Sequence, residues 1–303
     1  MDLRHVVILG GTGFVGRHLV ARLLQDGHRI TVLSRAATAD QRGVLPAAVA
    51  VREGDVGDVR FLREVFADAD AVVNLVGILN ETGDDGSGFQ RVFVGIAEAV
   101  IAAMQAAGVS RLLQMSALHA GEGESHYLLA RGHAEQRVRA SPLAWTLLRP
   151  SVIAGPGDGL FCRFDALLRL SPVLPMGRAD ARFQPVWIGD VTEAFARALG
   201  DDASIGGSYD LVGPQVMTLA QIVQLTAQAR GRRRAVIALP AALGRLQAEI
   251  GEHLPGKPIS RDNWRSLQTD SVSADNGLPR LGITPTPVAP KLPEILGLPV
   301  AQP

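Results

Sequence analysis

Residues 6–17 read Val-Val-Ile-Leu-Gly-Gly-Thr-Gly-Phe-Val-Gly-Arg, and few folds accommodate such an opening. The apolar run Val6 to Leu9 has the character of a buried strand. Gly10, Gly11, Gly13 and Gly16 follow at once, and Val15, Leu19, Val20, Leu23 and Leu24 then fall on one helical face. The pattern is strand, glycine turn, helix. Such a turn brings backbone N–H groups and a helix N-terminus up to a pyrophosphate with no Cβ in the way. The Gly-x-Gly-x-x-Gly spacing of Gly11, Gly13 and Gly16 is weak by itself. Its place between a strand and a helix makes it a dinucleotide signal rather than a plain tight turn.

The alternation continues. Apolar runs predict strands over 5–9, 29–33, 48–52, 71–76, 111–115 and 144–148, with helices over 14–26, 58–67, 89–107 and 126–140. Near-continuous apolar strands are covered on both faces, which implies a parallel, doubly wound α/β sheet of the Rossmann kind. After Pro150 the regularity weakens. Gly-Pro-Gly-Asp-Gly at 155–159 is a turn cluster. Helices are expected over 160–170, 190–199, 218–229 and 240–251, and short strands over 184–188, 207–212 and 235–238. Residues 1–150 therefore read as the dinucleotide-binding domain. Residues 151–303 read as a smaller α+β cap, partly interleaved with the sheet.

Composition narrows the class. The 303 residues are 47% hydrophobic and 20% charged, with a formal net charge of zero. Nothing there attracts nucleic acid. Cys162 is the single cysteine, which permits no internal disulfide and suits a reducing compartment. The chain enters a strand directly, leaving no room for a signal peptide. No apolar run reaches the roughly 18 residues of a membrane span. The expectation is a cytoplasmic protein, with peripheral contact to the inner face of a membrane left open. His119, His126 and His133 have no partner at metal-ligand spacing, so no metal is expected. Lysine is rare: only Lys257 and Lys291 occur, and every other basic residue is arginine.

The second strand bears on which dinucleotide is held. Chains that bind NAD usually end this strand with an acid that bonds the adenosine ribose. Here it ends in Ser34 and Arg35. Arg35 can stack on adenine and pair with a 2′-phosphate, Ser34 can donate to it, and Arg17 beside the last glycine can reach the same group. NADP(H) is expected over NAD(H), although both arginines also read as solvated surface charges. Asp55 and Val56 follow the third strand, where Asp55 either bonds the adenine amino group or caps the next helix. Asn74, Val76 and Gly77 end the fourth strand, and Asn74 needs a partner from the loop or the ligand.

The chain resembles an atypical extended short-chain dehydrogenase/reductase, epimerase/dehydratase-like. It resembles in particular the branch holding the nucleotide-binding accessory subunit of respiratory complex I. Gly-Gly-Thr-Gly-Phe-Val-Gly-Arg at 10–17, Asn-Leu-Val-Gly-Ile-Leu at 74–79, Met-Ser-Ala-Leu at 115–118 and Leu-Arg-Pro-Ser at 148–151 carry the resemblance, with Arg-Phe-Gln-Pro-Val at 182–186. It implies that Gly10 to Arg17, Thr12, Phe14 and Val15 included, surround the cofactor. It implies that Pro150, Ser151 and Val152 meet the nicotinamide amide, with Arg182, Phe183 and Gln184 opposite. It further implies a Tyr-x-x-x-Lys pair and an upstream hydroxyl. The chain has Tyr127-Leu-Leu-Ala-Arg131. A spacing of four shares one helix face. Tyrosine, with an ordinary pKa of about 10, needs a nearby cation to act as acid/base. Arg131 keeps the charge but not the compact shape of an ammonium. Ser116 is the upstream hydroxyl, with Ser125 as its alternative and His119 as a further substrate contact. Packing roles stand beside these: Tyr127 in the core, and Arg131 paired with Glu135.

Three functions remain open at this point: an NADP(H)-dependent oxidoreductase or epimerase, a catalytically weak cofactor-binding member of a respiratory or quinone-biosynthesis assembly, and a redox sensor. The substrate is unspecified, with an apolar molecule fitting the cap composition better than a sugar nucleotide. The segment 160–170 reads as core, pocket wall or membrane-facing helix. The basic run at Arg230 and Arg232 to Arg234 reads as a solvated loop before a lipid or acidic-partner contact.

Overall fold

The computed structural model describes residues 4–35, 43–255 and 257–299. Its centre is a seven-stranded parallel sheet. The strands are β1 (His5–Leu9), β2 (Arg29–Ser34), β3 (Ala50–Glu53), β4 (Ala71–Asn74), β5 (Arg111–Met115), β6 (Ala144–Pro150) and β11 (Ser208–Leu211). Their spatial order is β11-β6-β5-β4-β1-β2-β3. The order reverses beside β1, between β2 and β4, and such a reversal opens a crevice at the carboxyl ends of the strands.

The helices of the first half are α1 (Phe14–Gln25), α2 (Val59–Phe66), α3 (Ser87–Ala107) and α4 (His126–Ala140). Side chains alternate across a strand. Val6 and Ile8 therefore join one buried cluster with Leu19 and Phe195, while Val7 and Leu9 join another with Leu62, Phe66 and Met104. Both faces of the sheet are covered, which is why the strand sequences are apolar throughout. Helix α3 is long and apolar enough to cross a membrane, contrary to the expectation that no run is. Half of it lies inside the protein, where Phe89, Phe93, Ala97, Val100 and Met104 pack against the sheet. Residues Gln90–Gly95 of this helix form a π-helical stretch that periodicity does not reveal.

The second half contributes α5 (Phe161–Leu170), α6 (Ile188–Gly200), α7 (Leu219–Ala229), α8 (Ala241–Glu252) and α9 (Arg261–Ser266). Three two-stranded ribbons accompany them. They pair β7 (Ile153–Ala154) with β10 (Val186–Trp187), β9 (Arg182–Phe183) with β12 (Met217–Thr218), and β8 (Val173–Gly177) with β13 (Ala235–Leu239). Of the expected strand over 184–188 only β10 forms: Pro185 carries no N–H for a ladder and separates it from β9, and Ile188 opens α6. The solvated-loop reading of the basic run does not hold for two of its arginines. Arg230 forks onto the buried Asp165 at 2.6 and 2.7 Å, and Arg234 donates to the Leu168 carbonyl at 3.0 Å. Both tie the loop back to α5.

Candidate functional site

The glycine turn is built for close approach. Gly10 sits at φ +78°, a region that favours glycine, and its carbonyl accepts from Gly13 N at 3.0 Å. A Cβ on Gly16 would collide with the Gly10 carbonyl oxygen and the Gly11 backbone. Helix α1 begins at Phe14 with no side-chain cap and no acid in its first turn. Its first N–H groups and its positive end are thus available to an anion. A cavity of roughly 1110 Å³ opens here, lined by Gly10, Gly13, Phe14, Val15, Gly16 and Gly77 among others.

Tyr127 and Arg131 lie on α4 and both line this cavity. The π-helical stretch of α3 brings Phe93 beside Phe89, and the Tyr127 ring stands edge-on to them at 5.4 and 5.9 Å. The Arg131 guanidinium lies 3.9 Å from the Phe93 ring centroid and 5.4 Å from that of Tyr127. It donates to the Met115 carbonyl at 3.0 Å. Arg131 does not pair with Glu135, whose carboxylate is taken by Arg149 (Nε at 2.7 Å) and Arg139. That bond to Glu135 holds the Arg149 guanidinium above its ordinary pKa. Ser116 Oγ and Arg131 Nε are buried with no hydrogen-bond partner among the described residues.

The start of α4 is clamped from far along the chain. Ser125 caps the helix, and its hydroxyl donates to Asp262 of α9 at 2.9 Å. The same buried carboxylate accepts from His126 N at 2.7 Å and Tyr127 N at 3.1 Å. Ser125 is therefore spent on the fold, and its reading as an alternative catalytic hydroxyl is corrected: it is fully buried in this clamp. Removing the carboxylate strands three donors. Asp262→Ala is expected to cost about 3 kcal/mol of stability. Urea denaturation measures it, with Asp262→Asn losing less because one acceptor oxygen remains. A loss under about 1 kcal/mol for the alanine variant would refute the clamp. A second link runs from Arg265 of α9 to Asp84 at 2.7 Å, and this pairing holds the Asp84 carboxyl below its ordinary pKa.

Other expected residues are placed as follows. Pro150, Ser151 and Val152 line the cavity, with the Ser151 hydroxyl 2.9 Å from both the carbonyl and the hydroxyl of Ser271. Thr269 and Ser271 also line it, from a segment with no motif in the sequence. Asn74 finds its partners within the protein: its amide donates to Gln114 Oε1 at 2.9 Å, and its oxygen accepts from Val76 N at 3.1 Å. Gly11 backs onto Val32, and Gly10 onto the Leu75–Val76 backbone. Ser34 ends β2 and the exposed Arg35 follows it, and neither lines the cavity. Asp55 is exposed beyond β3, where its carboxylate accepts from Gly57 N at 2.9 Å. The cap of α2 is Asp58 and not Asp55, while the Val56 side chain is buried in the core.

Three expectations change. Arg17 does not join Arg35: its guanidinium donates to the Pro156 carbonyl, across the crevice from β2, and rests against Gly157. Neighbouring His18 is held below its ordinary pKa, chiefly by burial. Arg182 does not line the cavity, because Asp270 takes its Nε at 2.8 Å; Gln184 is likewise spent, on Gly213 and Ser273, and of that trio Phe183 alone remains in the wall. His119 lines the cavity at φ 60°, but its ring nitrogens meet Glu122 at 3.0 Å and the Val272 carbonyl at 2.8 Å.

Residues 10–160 match a family model described as NAD(P)H-binding. The chain carries an NAD(P)-binding Rossmann domain. Over 289 residues it is 29% identical to NADH dehydrogenase [ubiquinone] 1 alpha subcomplex subunit 9 of Arabidopsis thaliana, covering 89% of this chain and 71% of that protein. The Mus musculus subunit of the same name is 27% identical over 95% of this chain and 78% of its own length. A ceramide reductase of Caulobacter vibrioides is 35% identical over 62% of this chain and 59% of its own. Among solved structures, the Bordetella bronchiseptica enzyme WbmG in complex with NAD superposes with a TM-score of 0.76 at 19% identity, covering 98% of this chain and 94% of that one. MoeE5 in complex with UDP-glucose and NAD gives 0.76 at 18% identity, covering 97% of each chain. These neighbours share the Rossmann-like fold of this chain.

Proposed function

We propose that this protein is an NADP(H)-dependent oxidoreductase, with Tyr127 as the acid/base and Arg131 in place of the usual lysine. The observation that carries the proposal is the pair of unpartnered buried atoms, Ser116 Oγ and Arg131 Nε, on residues that line one cavity with Tyr127. An unsatisfied buried polar group costs about 1–3 kcal/mol, so two at one place fit a site completed by a ligand. The glycine turn and the uncapped end of α1 suit the pyrophosphate. A bound nicotinamide would supply the hydride chemistry. Arg131, held by the Phe93 face and the Met115 carbonyl, keeps a positive charge beside the Tyr127 ring and has Nε for a ribose hydroxyl. Tyr127 takes the proton of a substrate hydroxyl in oxidation and returns it to the carbonyl oxygen in reduction. Ser116 Oγ donates to the same oxygen.

Arg35, with Ser34, supports a 2′-phosphate. The protein is denatured and the released nucleotide identified; then NADPH and NADH are titrated onto stripped wild type and Arg35→Ala. The variant is expected to bind NADPH about 10–100-fold more weakly, with NADH changed by less than about twofold. Release of NADH, or equal losses for both nucleotides, would remove the NADP(H) preference.

A second reading is a catalytically weak NADP(H)-binding member of a respiratory or quinone-biosynthesis assembly, at the inner face of a membrane. The span of the match to the complex I subunits, 89–95% of this chain, favours it. Co-purification of tagged protein with respiratory subunits supports this reading, and turnover by the isolated chain opposes it.

A further inference from the structure

The cavity extends well past Tyr127. A second arm runs among α5, β8, β13 and α8, walled by Leu167, Leu174, Met176, Leu239, Leu246 and Ile250. We infer that this arm holds one long alkyl chain, so that the substrate is an amphiphile whose ketone or secondary alcohol head lies at Ser116 and Tyr127. The position of the head group rests on the proposed Tyr127 chemistry; the chain site does not.

Two observations carry the inference. The first is the fate of the polar side chains in the arm. Gln247 accepts from Gly177 N at 3.1 Å and donates to the Pro175 carbonyl at 2.9 Å. Asn263 accepts from Ser260 N at 3.1 Å and donates to the Leu79 carbonyl at 3.4 Å. Arg163 donates to the Pro258 carbonyl at 3.3 Å. These groups serve the protein's own backbone. A sugar ring placed against the leucine and isoleucine wall would lose its water with few partners in exchange, whereas methylenes lose nothing.

The second is the mouth of the arm. Leu243, Leu246, Ile250 and Leu254 follow one another at helical spacing along and just past α8. Each of the four lines the cavity, yet each is about half exposed (49–54%). Closed cores do not leave such a stripe open to water, and contiguous exposed apolar surface marks a binding site. The stripe is continuous with the nucleotide crevice through the same cavity. A chain lying along it therefore brings its polar end to Tyr127.

Displacement of the neutral fluorophore N-phenyl-1-naphthylamine by hexan-2-one, decan-2-one and tetradecan-2-one tests the inference, with and without NADPH. Affinity is expected to rise about threefold per added methylene until the arm is full. Leu246→Glu, at a half-exposed position, is expected to weaken decan-2-one at least about tenfold while keeping the thermal shift produced by NADPH. Ile250→Gln serves as the second variant should Leu246→Glu not keep that shift. A flat dependence on chain length, or preferential displacement by UDP-glucose, would overturn the assignment. So would binding to bare phosphatidylcholine vesicles with a flat dependence, which would give the stripe to a lipid surface. Steep chain-length dependence in a protein without turnover would keep the chain site and remove the Tyr127 chemistry. Turnover of short ketones with a flat dependence would do the reverse.

Discussion

Tyr127→Phe is expected to lower turnover by about 10²–10⁴-fold, the usual worth of a positioned acid/base, with NADPH binding unchanged within about twofold. The substitution isolates the hydroxyl, because the ring that packs edge-on against Phe89 and Phe93 is retained. A fall in activity accompanied by unfolding would not fit, since no described residue bonds the hydroxyl in a way that holds the fold. Steady-state kinetics and nucleotide titration on the same preparation read both quantities. Activity within about threefold of wild type would take Tyr127 out of the chemistry and leave the assembly reading in place.

Gly16→Ala is expected to abolish nucleotide binding. The added methyl meets the Gly10 carbonyl oxygen and the Gly11 backbone, neither of which can turn aside as a side chain would. The turn must open, and with it goes the approach to the pyrophosphate. In wild type, a nucleotide at a hundred times its dissociation constant adds about 2.7 kcal/mol of stability. The variant should show no such gain in a thermal melt, and its own midpoint should fall by several degrees from the displaced backbone. A nucleotide-induced shift equal to that of wild type would place the pyrophosphate elsewhere.

The two experiments address links of different legibility. The glycine turn is legible because it is local: strand, turn and helix are consecutive, and each signals itself within a dozen residues of Gly10. The Tyr127–Arg131 pair is legible for the same reason, since four residues span one helical turn. From sequence Ser125 reads as an alternative to Ser116 for the upstream hydroxyl. A serine three residues before Leu128 is equally a helix cap, and Asp262, which settles the matter, lies in α9, 137 residues further along the chain. Arg17 likewise has a partner that the sequence does not signal. Its place beside Gly16 is local, but the carbonyl that attracts it belongs to Pro156, on a loop that only the folded crevice brings near.

Alternating apolar and helical patterns, together with the glycine spacing, determined on their own that this chain builds a parallel sheet around a dinucleotide. Backbone periodicity and the missing Cβ atoms act over a few residues, so neighbours in sequence suffice. The tertiary structure alone decided which polar atoms are spent and which are left over. Asp262 takes the start of α4, Glu135 goes to Arg149, and Ser116 Oγ and Arg131 Nε remain without partners among the described residues, on side chains that line the cavity. Those outcomes depend on hydrogen-bond geometry between different elements, 14 residues apart for Glu135 and Arg149 and 136 for Asp262 and His126, where a bond requires contact at about 3 Å. Residue type names the donors and acceptors, and only the packed chain says which of them meet.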